Sequence, residues 1–321
     1  MNQWLVTMGD FESSDGILAT VGWKDNRLQL IWSRRYELPA DRRMRGKGFT
    51  GAELLSDGTL IVCGFNALYH IDPGNEGFAN PFLIRDDLND LHDVVIQERG
   101  GERRVIVVNT GLDRIETYRF DGTRLHCQLL SPLKPERSRD STDPYFDELS
   151  DSSRPLFLRK LRDRVHPNSV LGRPDGIWVS RFSDRAVGPL STKRTWFQVP
   201  GCPHDLVFWK DRIWFTTTDG RVWSICPSKR QRSLRCELDS FERSGRSGWV
   251  RGLALTDELL ILGFTRITRM PRERWAERPF DETATGLLAI NSSTNTVLDW
   301  LSLSELGQHP KIFGIYTRRH S

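Results

Sequence analysis

The feature that most constrains this chain is a repeat that is complete only if the two ends of the sequence meet. Five segments share one pattern, an apolar strand, a turn and a second β-rich strand: FTGAELLSDGTLIVCGF, LHDVVIQERGGERRVIVVNT, VHPNSVLGRPDGIWVSRF, PHDLVFWKDRIWFTTT and VRGLALTDELLILGF. A sixth first strand, IFGIYTRRH, ends the chain without a second strand after it. The segment QWLVTMG at residues 3–9, followed by GILATVGW and LQLIWSR, supplies the missing strands.

This pattern predicts an all-β fold, a six-bladed β-propeller with circular closure. The C-terminal strand would complete the blade begun by the N-terminal strands, and residues 1–321 would form a single β-propeller domain. The units recur at about 40 to 75 residues, within the propeller range once insertions are allowed. Turn signals such as SDG, RPDG and TTDG separate the strands. A twin β-sandwich is the alternative, because it would also give short strands and turns.

Two long insertions interrupt the repeat, at about residues 131–164 and 266–285. Strand order predicts that both emerge at the end of the channel where the inner strands begin, here called the top face. A third top-face segment, DRRMRGKG at residues 41–48, carries four basic residues. These loops are candidates for a lid over a site or for binding a peptide or protein partner. An equal alternative is that they are solvent-exposed loops without a binding role.

Composition excludes several other classes of protein. The net charge of +4 comes from 46 basic and 42 acidic residues that are interspersed, so nucleic acid is not an expected partner. The N-terminus lacks a signal-peptide pattern and no apolar run is long enough to span a bilayer, which predicts a cytoplasmic protein with no membrane contact. Five cysteines without CxxC spacing argue against a disulfide framework.

The starts of the six inner strands carry an unusual set of side chains. The first residue of such a strand faces the opening of the central channel at the top face, here called the mouth. The chain has only seven histidines, yet three fall at these six positions. Alignment of the starts gives one ring: Thr50, His92, His166, His204, Arg251 and Phe313.

Histidine at three consecutive blades predicts a metal site. Neutral imidazole is a common ligand of zinc, iron and copper, and three protein ligands leave a position open for water or substrate. We therefore expect His92, His166 and His204 to hold a divalent transition metal. The alternative is that the histidines fill the channel and bond neighbouring blades, with Asp93 and Asp205 holding backbone amides between blades.

The remaining ring residues suggest how a substrate would be held. Arg251 could grip a carboxylate or phosphate through its planar fork and act as a catalytic group. Thr50 and Phe313 would contact the substrate from neighbouring blades. Asn168 and Glu53 are oxygen donors on the same inner strands, Asn168 for substrate binding and Glu53 for catalysis.

TGAEL at Thr50, RGLAL at Arg251 and FGIY at Phe313 resemble the six-bladed propellers of senescence marker protein and gluconolactonase, and their relative strictosidine synthase. Those proteins also place functional residues at the tops of the inner strands, often before glycine. The resemblance implies lactonase-like chemistry around a divalent ion bound by carboxylate and amide oxygens. This sequence departs from that pattern at Thr50, His166 and His204, so calcium is not expected.

These observations together predict a metal-dependent enzyme acting on a small, anionic organic substrate at the mouth. The reaction would be hydrolysis of an ester or lactone, or oxidative chemistry of an oxygenase type. The competing prediction is a non-catalytic propeller that binds a peptide or protein partner through its basic top-face loops. Fold alone does not decide between them.

Overall fold

The computed structural model describes residues 2–74, 80–133, 164–192, 196–227, 233–267 and 283–317. These residues form six four-stranded antiparallel sheets, which are the blades. Blade 1 contains β4 (Ala52–Leu54), β5 (Leu60–Cys63), β6 (Ala67–Ile71) and β7 (Asn80–Ile84). Blade 2 contains β8 (Leu91–Arg99), β9 (Glu102–Asn109), β10 (Arg114–Arg119) and β11 (Arg124–Leu129). Blade 3 contains β12 (Pro167–Arg173), β13 (Gly176–Arg181), β14 (Ala186–Pro189) and β15 (Phe197–Gln198).

The remaining blades follow the same order from inner to outer strand. Blade 4 contains β16 (Pro203–Trp209), β17 (Arg212–Thr217), β18 (Arg221–Ile225) and β19 (Leu234–Asp239). Blade 5 contains β20 (Trp249–Leu255), β21 (Leu259–Thr265), β22 (Gly286–Asn291) and β23 (Val297–Ser302). Blade 6 contains β24 (Pro310–Thr317), β1 (Gln3–Asp10), β2 (Gly16–Lys24) and β3 (Arg27–Tyr36). Short helices cover 110–112, 240–244 and 304–306.

The predicted circular closure is confirmed by blade 6. Its inner strand, β24, pairs antiparallel with β1, so the last described strand and the first lie in one sheet. Six inner strands form a ring, which is not the arrangement of a twin β-sandwich. The closure leaves each inner strand paired on one side and facing the channel on the other, as the position of a site at the mouth requires.

Apolar contact between neighbouring blades stabilises the ring. Each interface between blades contains one large hydrophobic cluster of described residues. A small further cluster joins Phe11 and Trp249. One buried residue from each side marks the interfaces in order: Cys63 and Val94, Val108 and Val179, Phe197 and Phe215, Val222 and Leu262, Ile261 and Val6, Leu18 and Leu60. Each large apolar side chain buried in this way contributes about 1.5–3 kcal/mol to folding, before the entropy cost.

Side-chain hydrogen bonds fix the tops of the inner strands relative to one another. In four cases, a side chain donates to the carbonyl of the first residue in the next inner strand: Thr50 to Leu91 at 2.6 Å, Thr110 to Pro167 at 2.6 Å, Asn168 to Pro203 at 3.2 Å, and Thr285 to Pro310 at 2.7 Å. Each bond joins one blade to the top of the next inner strand. The mouth therefore has a rigid frame.

The two predicted insertions lie largely outside the described residues, which stop at 133 and resume at 164, and stop at 267 and resume at 283. Their attachment points follow β11 and β21, at the end of the propeller where the inner strands begin. Among the described residues, no helix has the length and apolar character needed to cross a membrane.

Candidate active site at the mouth of the channel

The ring of side chains at the mouth is set by irregularities near the start of the inner strands. The register of β8 skips His92, that of β12 skips Asn168, and that of β24 skips Phe313. Register shifts also follow His204 in β16 and Val250 in β20. A β-bulge removes a residue from the ladder and turns its side chain in a new direction. The observed ring is Thr50, His92, Asn168, His204, Arg251 and Phe313.

His166 is the one ring position at which the structure differs from the sequence-based alignment. It precedes β12 and has a φ of 51°, a left-handed conformation that does not belong to a strand. Asp90, two residues before His92, has a φ of 50°, so His166 and Asp90 occupy equivalent positions above the ring. The carboxylate of Asp113 accepts the amides of Arg164, Val165 and His166 at 2.7–3.0 Å and holds this turn.

A cavity of about 70 Å³ extends into the channel below the ring. It has room for a few water molecules, since one water needs roughly 10–15 Å³. Thr50, His92, Asn168, His204 and Phe313 line its upper part. The lining deeper in the channel includes Asp93, Ser169, Asp205, Leu253 and Tyr316. The cavity can take the reacting end of a substrate but not a whole sugar-sized molecule.

His204 is the lining residue with the clearest chemical potential. Its side chain is buried, and its Nδ1 lies 3.3 Å from Oδ1 of Asp205, a close but poorly aligned contact. Its Nε2 makes no hydrogen bond with the described residues. Burial lowers the pKa of His204, which keeps the imidazole neutral and able to accept a proton.

His92 contacts Asn168 of blade 3 and Asp90, which lies two residues before it in the chain. Its Nδ1 lies 2.8 Å from Oδ1 of Asn168, whose Nδ2 donates to the carbonyl of Pro203. Because that bond fixes the amide orientation, Nδ1 of His92 carries the proton and Nε2 has the lone pair. Nε2 lies 3.4 Å from Oδ1 of Asp90, which is paired with Lys47. Burial lowers the pKa of His92 to about 3, so this imidazole is neutral.

The aspartates that follow two of the histidines hold neighbouring blades together, as the sequence suggested. Oδ2 of Asp93 accepts the amide of Val170 at 2.9 Å, and Oδ2 of Asp205 accepts the amide of Gly252 at 2.8 Å. Burial, aided by the charge of Asp205, raises the pKa of Asp93 to about 7. Both carboxyl groups thus have structural roles in the channel wall.

The side of the mouth formed by blades 5 and 6 is cationic and aromatic. Arg251 and Lys311 are both buried, and both pack on the ring of Phe313, at 5.6 and 4.6 Å from its centroid. Arg251 also lies 5.1 Å from the ring centroid of Trp249, and Lys311 lies 4.6 Å from that of Phe11. Phe313 lines the cavity, whereas Arg251 is not one of the described residues that line it, and the roles of both stay predictions.

Thr50 and Glu53 are placed differently from each other. Thr50 lines the cavity, but its hydroxyl donates to the carbonyl of Leu91 and belongs to the frame. Glu53 is half-buried on β4 and is not one of the described residues that line the cavity. We therefore assign no chemistry to Glu53.

Two of the three histidines of the predicted metal centre lie in contact. The rings of His92 and His166 meet edge to face, with centroids 4.9 Å apart. However, the part of the chain that the structure describes contains no group of three His, Cys, Asp or Glu side chains arranged to hold a metal ion. The described arrangement does not fit a three-histidine centre, and zinc, iron or copper binding stays a prediction.

Sequence reasoning missed Lys47, Asp90 and Lys311, which surround the ring from positions before it. It also placed His166 in the ring of blade 3 where the structure has Asn168, although the sequence contains a pattern that distinguishes the two. Asp93, Ser169, Asp205 and the glycines 51, 252 and 314 each follow a ring residue and precede an apolar one. Asn168-Ser169-Val170 fits this rule, whereas His166-Pro167-Asn168 does not.

The basic segment at 41–48 is largely neutralised by carboxylates. Arg42 pairs with Asp41 and Asp86 at 3.5 and 3.6 Å, and Arg43 pairs with Glu37 at 3.1 Å. Arg45 pairs with Glu12, and Lys47 with Asp90. These pairs weaken the electrostatic case for an acidic partner at this segment, and peptide binding stays a prediction.

No protein-family model and no curated protein matches the sequence. Solved structures do match over nearly the whole chain, covering 99% of it in each of three cases. A Bacteroides caccae protein of unknown function is 12% identical, with a TM-score of 0.65 and 99% of that chain covered. A putative 6-phosphogluconolactonase from Bacteroides fragilis is 10% identical, with a TM-score of 0.54 and 98% covered. The Pseudomonas aeruginosa periplasmic gluconolactonase is 14% identical, with a TM-score of 0.51 and 99% covered.

At these identities the likeness is one of fold. The comparisons bear out the predicted resemblance to gluconolactonase-like propellers, and the six blades are given by the sheets of this chain. The chain is a closed six-bladed β-propeller whose structural neighbours include propellers described as lactonases.

Proposed function

We propose that the protein is an enzyme that hydrolyses an ester or lactone in a small, anionic organic substrate at the mouth of the propeller. The observation that carries this proposal is the environment of His204. A buried, neutral imidazole lines a cavity, has Asp205 beside one nitrogen, and makes no hydrogen bond with the described residues through the other. A buried polar atom of this kind indicates a ligand-facing role.

His204 would act as a general base. With Nδ1–H directed at Asp205, the lone pair of Nε2 would take a proton from a water in the cavity as the water oxygen bonds to the carbonyl carbon. The C–O bond to the leaving alkoxide then breaks, and His204 returns the proton to that oxygen. The products are a carboxylic acid and an alcohol. The Asp205 carboxylate would stabilise the transient imidazolium and fix its orientation.

The size of the cavity limits how the substrate enters. About 70 Å³ admits the carbonyl and its attacking water, so the rest of the substrate must lie in the mouth. There Arg251 and Phe313 would contact it, with Asn168 as a polar neighbour. The lactonase names of two structural neighbours support lactones as the first class to test.

We also propose metal dependence, although no step of the hydrolysis described above requires a metal. A zinc, iron or copper ion at His92, His166 and His204 would add Lewis acidity or oxidative chemistry. Metal content of protein purified without an affinity tag, beside a variant with all three histidines changed to alanine, tests this point. A near-stoichiometric metal lost in the variant would establish the centre, whereas no metal in either protein after reconstitution would contradict it.

The main test is hydrolysis of a panel of sugar lactones and carboxylated aryl esters by wild type, His204→Gln and His126→Gln. His126 is exposed on β11, so its variant controls for loss of a histidine. We expect His204→Gln to lower kcat/KM by about 10²–10⁴-fold and His126→Gln to leave it unchanged. If no substrate is hydrolysed, or if His204→Gln keeps full activity, the proposal is wrong.

A further inference from the structure

We propose that the mouth binds a dianionic phosphoryl or phosphonyl group through Arg251 and Lys311, which makes a phosphorylated compound the preferred substrate class. The link to a substrate rests on the proposed function, whereas the anion site itself does not. Lys311 was not among the residues that the sequence singled out.

Two cationic side chains pack on one aromatic ring that lines the cavity. Arg251 comes from β20 and Lys311 from β24, and both are more than nine-tenths buried. The ring of Phe313 lies within 6 Å of both charged groups and also lines the cavity. An anion that contacts both cations would therefore sit at the rim of the cavity.

Aromatic packing holds these cations in place before any ligand arrives. Trp249 and Phe11 provide the second rings for Arg251 and Lys311, and they contact each other edge to face with centroids 6.3 Å apart. The ammonium of Lys311 also donates to the carbonyl of Gly46. Side chains already ordered lose little entropy on binding, and the surrounding rings lower the local dielectric.

Two cations on one ring favour a dianion over a monocarboxylate. A phosphate monoester has a charge of about −1.5 to −2 at pH 7 and three oxygens that can contact both cations, whereas a carboxylate has one charge. The guanidinium of Arg251 suits bidentate contact with two phosphate oxygens, and an ammonium can take the third as a point charge.

The third nearby cation has a different assignment. Lys47 is paired with Asp90, which lies beside Nε2 of His92, on the opposite side of that ring from Asn168. We therefore do not include Lys47 in the anion site. The charge of Arg251 contributes to the lowered pKa of His204, which places the anion subsite and the base within electrostatic reach of each other. A phosphoryl group at Arg251 thus leaves the remainder of a small molecule near His204.

Binding of inorganic phosphate, methylphosphonate and acetate, measured by isothermal titration calorimetry, tests the proposal. The proteins are wild type, Lys311→Met, Arg251→Met and, as a matched control, Lys210→Met. Lys210 also lies over an aromatic ring, that of Trp209 at 5.6 Å, but follows β16 at the other end of the channel. We expect Lys311→Met and Arg251→Met each to weaken phosphate binding at least tenfold, with no change for Lys210→Met.

Three results would overturn the proposal: acetate binding wild type as tightly as phosphate, phosphate binding unchanged in Lys311→Met, or no binding of phosphate to wild type. Lys311→Arg, which keeps the charge, should bind phosphate within a fewfold of wild type. Arg251→Lys, which keeps the charge but loses the bidentate fork, should bind phosphate more tightly than Arg251→Met. These variants distinguish lost recognition from lost folding. Phosphate binding by His204→Gln separates the two proposals. If that variant binds phosphate and no ester or lactone is hydrolysed by wild type, the anion site stands and the hydrolase proposal falls.

Discussion

Two buried polar clusters in this propeller differ in how fully their hydrogen-bonding groups are satisfied. In blade 2, Glu116 accepts from Asn109 at 2.8 Å, from the hydroxyl of Tyr118, and from Arg124 at 3.4 Å. Asn109 also donates to the carbonyl of Asp87 and accepts the amide of Asn89. We call Glu116, Asn109, Tyr118 and Arg124 the blade 2 network.

At the mouth, by contrast, His92 and His204 have ring nitrogens that make no hydrogen bond with the described residues. Nε2 of His92 and both ring nitrogens of His204 lack a hydrogen bond to the described residues. A buried polar atom costs about 1–3 kcal/mol unless water or a ligand satisfies it, and the cavity beside these two histidines has room for either. The comparison indicates that the blade 2 network stabilises the fold, and it supports the proposal that the mouth receives a ligand.

The largest expected effect is on stability, from Glu116→Ala. Removal of this carboxylate leaves the Asn109 amide and the Tyr118 hydroxyl buried without their partner. We expect the free energy of unfolding to fall by about 3 kcal/mol in urea denaturation. His204→Gln breaks no well-formed hydrogen bond and should cost about 1 kcal/mol or less. Equal losses in the two variants would contradict the distinction between the clusters.

A second prediction concerns pH, because His92 and Asp93 are neighbours with opposite shifts. Burial lowers the pKa of His92 from 6.5 to about 3, so between these values the unfolded state binds the proton and the folded state does not. Acidification through this window therefore destabilises the fold. Burial raises the pKa of Asp93 from 3.8 to about 7, so its contribution to stability is lost as pH rises and acidification has the opposite effect.

Substitution should separate these two contributions. Between pH 6.5 and 4.5, the free energy of unfolding of His92→Gln should rise relative to wild type by about 2 kcal/mol, and that of Asp93→Asn should fall by about the same amount. Urea denaturation at several pH values measures both, with His126→Gln as the control. Parallel pH profiles for wild type and His92→Gln would show that His92 is not held neutral by burial.

The fold could be predicted because its signals are local. Strand patterns such as GIWVSR and turns such as RPDG each lie within a few residues, and the count of first and second strands required the ends to meet. The site was only partly predictable, because its contacts cross blades. Pairing of Lys47 with Asp90 and packing of Lys311 on Phe11 join residues far apart in the chain. The bulge could fall at His166 or, two residues later, at Asn168, and strand propensity does not distinguish these positions.

The smallest expected effect concerns Asp205, which belongs to both kinds of cluster. Its Oδ2 is satisfied by Thr216 at 2.7 Å and the amide of Gly252, whereas its Oδ1 faces His204. Its φ of 54° is costly for any side chain with a Cβ, and the equivalent residue in blade 5 is Gly252.

Asp205→Gly and Asp205→Ala remove the same carboxylate but differ in backbone strain. We expect the glycine variant to be more stable than the alanine variant by about 1 kcal/mol in urea denaturation. Both should lose the same factor in kcat/KM, because the activity depends on the carboxylate that orients His204 and not on the backbone. A higher kcat/KM in the glycine variant than in the alanine variant would show that activity follows stability. In that case Asp205 only shapes the strand, and the mouth would have a structural role like that of the blade 2 network.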